Sequence, residues 1–115
     1  MPFGPIWLDD TSLVALLTVR GRSIPWRFDL ASHPEPLVDP SLRVIAAGVQ
    51  AANGTLVVNA QVDGTSLELS AVQQGGLRRV TRNGAAWQRR FPHPRLEEIQ
   101  LRGPAGPIQA WVYSP

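Results

Sequence analysis

Residues 56–84 read LVVNAQVDGTSLELSAVQQGGLRRVTRNG, and this stretch decides the fold. Three two-residue turn signals punctuate it: Asp63-Gly64, Gly75-Gly76 and Asn83-Gly84. Such pairs reach the positive φ that tight hairpins need. Leu56, Val58, Ala60 and Val62 form one face of a first strand, and Leu67, Leu69 and Ala71 continue that face beyond the first turn. Period-two alternation between turn signals predicts an antiparallel meander.

The same reading extends outward. Ser12 to Arg20 alternates, with Leu13, Ala15, Leu17 and Val19 on one side. Gly21-Arg22 closes a turn into Ile24 to Leu30, where Ile24, Trp26, Phe28 and Leu30 share a face. Pro25 inside that run predicts an edge strand, because proline gives a ladder no donor. Residues 32–40 hold Pro34, Pro36 and Pro40 and read as a loop. Leu42 to Val49 fits either a strand or a short helix. Ala85 to Phe91 is expected to return as a strand from Asn83-Gly84 and to end at Pro92 and Pro94. Ile99 and Leu101 mark another strand, residues 103–107 a Gly/Pro turn, and Ile108 to Tyr113 the last strand. No helix-period run with caps stands out. The expectation is a single all-β domain over residues 1–115, a small antiparallel barrel or two-layer sandwich of about seven to nine short strands.

Composition bounds the function. The chain has 115 residues, 43% hydrophobic and 17% charged, as a folded domain requires. Cysteine is absent, which excludes disulfide and thiolate chemistry. All eleven cationic side chains are Arg, so a net charge of only +2 carries the isoelectric point to about 10.4. The absence of Lys reads as bacterial-like genome composition, and the weak net field argues against a nucleic-acid partner. No apolar run approaches the length of a membrane span, and the expected setting is soluble and cytoplasmic.

The strongest charge feature is Arg78, Arg79, Arg82, Arg89 and Arg90. A two-residue hairpin at Asn83-Gly84 would set Arg82 opposite Ala85, Val80 opposite Trp87 and Arg78 opposite Arg89. The expected surface is then a strip of Arg78, Arg82 and Arg89 flanking the Trp87 ring. Guanidinium groups beside an aromatic face suit an anionic ligand or an acidic protein surface. Trp111 and Tyr113 form either a second candidate contact patch or a face covered by a second layer, on the side of the last strand opposite Ile108, Ala110 and Val112. His33 and His93 lack partners at metal-ligand spacing, and no nucleophile elbow or phosphate loop is present. The acidic pairs Asp9-Asp10 and Glu97-Glu98 read as solvated surface, since adjacent strand residues point to opposite faces. No cofactor, metal site or catalytic residue is expected.

Two stretches resemble known families. Ala60 to Pro94, with VDG, QQGG and RNGAAW, resembles the β-rich bridging region of acyl-CoA carboxylase biotin-carboxylase subunits, which implies assembly without catalysis. Leu96 to Pro115, with RGPAGPIQAWVYSP, resembles the opening hairpin of α/β-hydrolases of the esterase and dienelactone-hydrolase kind. No position matches their nucleophile, acid or histidine, so that resemblance implies an accessory N-terminal segment. The functional expectation is a non-catalytic binding or assembly module with a protein partner or a second copy, acting through the Arg/Trp strip. The alternatives are a small β-barrel enzyme or hydrolase-associated segment, and a small-molecule carrier with an open barrel interior lined by Trp26, Phe28 and Leu30. An exposed final strand also offers an edge to a partner.

Overall fold

A computed structural model describes residues 4–31 and 33–115. Met1, Pro2, Phe3 and Ser32 lie outside the described residues, and with them the start of the N-terminal lead-in and the first position of the proline-rich loop. The fold is all-β, as expected. Its strands are β1 (Ile6–Trp7), β2 (Ser12–Val19), β3 (Arg22–Asp29), β4 (Glu35–Pro36), β5 (Val44–Ala52), β6 (Thr55–Val62), β7 (Glu68–Gln73), β8 (Gly76–Arg79), β9 (Arg95–Gly103) and β10 (Gly106–Ser114), with one short helix, α1 (Ala85–Arg90).

The strands form two sheets. The main sheet runs β1-β2-β3-β5-β6-β7-β8, with β4 also on β3; β9 and β10 form a sheet of their own. The main sheet is open, with β1 and β8 at its ends, so no closed barrel exists. The expected carrier interior is therefore not built, and Leu30 stands fully in solvent beyond β3.

Four tight turns join the strands, and three of them set the register of their hairpins; beyond Asp63-Gly64 the pairing Ala60↔Glu68 is one residue out of step with a two-residue loop. Arg20-Gly21, Asn53-Gly54, Asp63-Gly64 and Gln74-Gly75 all have positive φ at both positions. That is the type I′ signature, whose twist matches the flanking strands. Two expected turns shift by one residue, because the pairing Val19↔Arg22 and Gln73↔Gly76 puts the glycine second in each loop. Asn53-Gly54 is an equally plain signal, and it fixes residues 44–52 as a strand paired with β6.

The core is rich in valine. Val14, Ile24, Val38, Val44, Ala46, Val49, Leu56, Val58 and Ala60 pack as one buried cluster. Leu56, Val58 and Ala60 alternate inward along β6 as the sequence predicts. Val38 reaches the cluster from the proline-rich loop, which is anchored by a parallel bridge to Gly75 and by Asp39 N–H donating to Gly75 C=O at 2.7 Å.

Three strand expectations are corrected. In β2 the fully buried side chains are Ser12 and Val14, while Leu17 and Val19 are exposed. Apolar residues occupy both parities there, so alternation alone does not choose the inward face. In β7 the expected inner face of Leu67, Leu69 and Ala71 holds only at Ala71, which is buried. Pairing Ala60↔Glu68 and Val58↔Ser70 turns Glu68 and Ser70 inward and leaves Leu69 exposed. Lastly, β3 is not an edge. Its far side is divided between β4, at Trp26 and Arg27, and β5, at Ser23. Pro25 falls in the gap, where its carbonyl accepts from Leu37 N–H at 3.0 Å and no ladder donor is required.

Candidate functional site

The expected Arg/Trp hairpin does not form. Ala85 to Phe91 is not a strand: AAWQRR is helical, a run of good helix formers around Trp87. Gly84 has φ −87°, so Asn83-Gly84 does not make a type I′ turn. A Cβ at Gly84 would lie 2.0 Å from Ser66 Oγ and 2.6 Å from Ser66 Cβ. The glycine serves close approach of the loop to Ser66.

Glu68 fixes that approach. Its side chain is only 3% exposed. Oε1 accepts from Gly84 N–H at 2.8 Å and from Ser66 Oγ at 3.2 Å, and Oε2 accepts from the Thr81 hydroxyl. The Gly84 N–H above all, then Thr81, pull the carboxyl down to a pKa of about 2. This buried carboxylate explains both departures: it needs the inward register of β7, and it bends residues 81–84 away from a hairpin.

The four predicted strip residues therefore lie on three different segments. Arg78 lies on β8 opposite Ala71, Arg82 in the following loop, and Trp87 and Arg89 on α1. All four are exposed. Trp87 stacks on Phe91 with ring centroids 4.1 Å apart, and the Arg90 guanidinium lies 5.6 Å from the Phe91 ring. Sequence reading missed a broader signal here. Residues 69–96 contain six arginines and no Asp or Glu, so the modest net charge hides a cationic quarter of the chain. Among the described residues none of these six is in an ion pair.

Trp111 and Tyr113 are brought together, on the covered side of the β9–β10 hairpin. The hairpin pairs over nine residues from Arg95↔Ser114 to Gly103↔Gly106. It carries no strand hydrogen bonds to the main sheet and is held by side chains. Trp111 packs on the Arg20-Gly21 turn, with the Arg22 and Arg43 guanidiniums 5.2 and 5.6 Å from its ring. Arg22 Nη2 meets Glu98 Oε2 at 2.8 Å, Arg43 Nη1 donates to Leu96 C=O at 2.9 Å, and Gln109 Nε2 donates to Arg20 C=O at 3.0 Å. The Arg22 bond, then Gln109, hold the Glu98 carboxyl below its ordinary pKa. Tyr113 stands over Gly64. A cleft of about 350 Å³ remains between hairpin and sheet, walled by Trp111, Tyr113, Leu96, Ile45, Gln61 and Arg43.

The opposite face of the hairpin is the apolar one. Ile99, Leu101, Ile108, Ala110 and Val112 share it by register, with Glu97 opposite Val112 and Arg95 opposite Ser114 at its far end. Leu101 is 50% exposed and Ile108 51%. Of the two alternatives for the Trp111 and Tyr113 face, the covered one describes Trp111, which is half-buried, while Tyr113 is exposed.

The histidines do not assemble a catalytic pair. His33 is exposed in its loop. His93 lines a shallow groove with Ser66, Trp87 and Phe91, but the Ser66 hydroxyl is engaged by Glu68 and by Gln88 Nε2 at 3.1 Å. Among the described residues no cluster of His, Cys, Asp and Glu could hold a metal ion, and no helix is long and apolar enough to cross a membrane. No protein-family model matches the chain, and no curated protein matches it.

Proposed function

We propose that this chain is a non-catalytic assembly module whose β9–β10 hairpin is completed by a partner sheet of the α/β-hydrolase kind. The observation that carries the reading is the hairpin itself: a nine-pair ladder with both outer edges unpaired and an apolar outer face. A two-stranded ribbon of this kind is marginal alone. Free edges and an apolar face together are what a sheet presents where further strands and a covering layer join it. The size of the molecule agrees. Its radius of gyration is 15.9 Å, against roughly 13 Å for a compact domain of this length. Its accessible surface is 8241 Å², where scaling for a compact monomer of 12.6 kDa gives about 6,200 Å². The excess is more than the ~800 Å² that one partner contributes to a stable interface. The similarity of RGPAGPIQAWVYSP to a hydrolase opening hairpin names the partner class. The carboxylase-like resemblance gains no such support, because Asn83-Gly84 turns no hairpin.

The test mixes the chain with an α/β-hydrolase domain of the esterase kind from which the opening hairpin has been deleted. The two should co-purify, and amide exchange over residues 95–114 should slow when that domain is present. Leu101→Lys with Ile108→Lys should abolish co-purification while the chain stays folded. Unchanged exchange, or capture by the double variant, overturns the proposal.

A second reading rests on the cationic segment. Six arginines without an ion pair among the described residues, on the segment that carries the exposed Trp87–Phe91 pair, suit an acidic protein surface. Retention on immobilised poly-L-glutamate should fall with salt and fall further in Arg82→Ala with Arg89→Ala. Equal retention of the variant removes this reading.

A further inference from the structure

We propose that the cleft between the main sheet and the β9–β10 hairpin is a binding site for a small planar aromatic carboxylate. The inference does not rest on the assembly reading, because this cleft lies on the covered side of the hairpin and the proposed partner surface on the open side. The cleft volume of about 350 Å³ falls at the small end of ligand pockets, enough for one or two fused rings.

Its walls supply the two kinds of contact such a molecule needs. Trp111 and Tyr113 offer aromatic surface, and Leu96 and Ile45 offer aliphatic surface. Ile45 and Tyr113 are both exposed although they are large and apolar, so unfilled contact area exists on both the sheet side and the hairpin side. The polar groups are few, Arg43 and Gln61.

Arg43 decides the charge of the ligand. Of its five guanidinium donors one is used on Leu96 C=O. Among the described residues no carboxylate lies within ion-pair distance of it, whereas neighbouring Arg22 is paired with Glu98. A half-buried guanidinium beside an indole ring, with donors unpaired, is matched by a carboxylate that lies in the ring plane of its own aromatic body. The rings that form the walls touch the turns that also line the cleft: Trp111 rests on Gly21 and Tyr113 on Gly64, each a turn glycine where a Cβ would come within 3.0 to 3.3 Å of the ring. The cleft is thereby preorganised, which lowers the ordering cost of binding.

The experiment is a heteronuclear NMR titration of the whole chain with 2-naphthoate and, separately, with the neutral 2-naphthalenemethanol. Naphthoate should give saturable shifts confined to the Trp111 indole N–H and the amides near Gly21, Gly64 and Leu96. It should bind about tenfold more tightly than the alcohol, the difference expected for one charge-assisted contact. Arg43→Met should erase that preference while the alcohol still binds. Equal wild-type affinities, shifts centred on Trp7 or Trp87, or no saturable shift overturns the proposal. The comparison of two probes on the unaltered protein keeps it testable even if Arg43→Met loosens the hairpin.

Discussion

The main sheet and the β9–β10 hairpin are both antiparallel and both well hydrogen-bonded, yet they are stabilised in opposite ways. In the main sheet the apolar face is turned inward, and Val14, Val44 and Val58 are lost to solvent entirely. In the hairpin the apolar face is turned outward, and the inner face attaches through Trp111, an Arg22–Glu98 ion pair and two side-chain bonds to backbone carbonyls. Ladders alone do not say which face of a sheet is the inside. What lies across from it does.

The sharpest way to break this contrast is a charge in each apolar face. Val58→Asp places an unpaired carboxylate at the centre of the core and should cost more than about 4 kcal/mol, abolishing the cooperative urea transition. Ile108→Lys on the hairpin should shift the same transition by less than about 0.5 kcal/mol, since its face is already wet. If the two effects are similar, the hairpin face is not open in solution.

Gly84→Ala comes next. Its Cβ would overlap Ser66, and the expected cost is about 1–3 kcal/mol, recovered in part when Ser66 is changed to Gly as well. A neutral result would mean that the loop is not held against Ser66. Trp111→Ala should act locally: amide exchange over residues 95–114 should rise by about tenfold or more, while β5 and β6 stay protected. Uniform loss of protection in both sheets would show that the hairpin is part of the core.

A further test is one of pH. Glu68 is held at about 2 in the folded chain against an ordinary 4.5. A depressed carboxyl adds stability that is fully present above the unfolded value and is lost as pH falls from about 4.5 towards 2. Stability should therefore decline over that window, and Glu68→Gln should flatten this part of the profile. An unchanged profile would remove Glu68 as the anchor of residues 81–84.

The contrast also marks what was legible in advance. Turn pairs and alternation were enough for the β class, for the inward face of β6 and for the final hairpin, because those features depend on neighbours in sequence. The face of β7 was not legible, since Glu68 is inward only because Gly84 and Thr81 come back to it. The Trp87 strip failed for the same reason: glycine after asparagine signals positive φ, but here it answers contact with Ser66. Arg22 and Arg43 carried no local sign of their place beside Trp111, which comes from hairpin docking.

By itself the sequence determined an all-β chain with tight turns and no cysteine or metal-ligand pattern, because backbone geometry and composition act locally. Only the tertiary structure decided which side of each strand is inside, that the sheet stays open, and that Trp111 closes a cleft while Ile108 faces water. Those outcomes depend on side chains from distant strands meeting, and a buried carboxylate or a docked ring outweighs local alternation wherever it satisfies groups that the local pattern would leave unpaired.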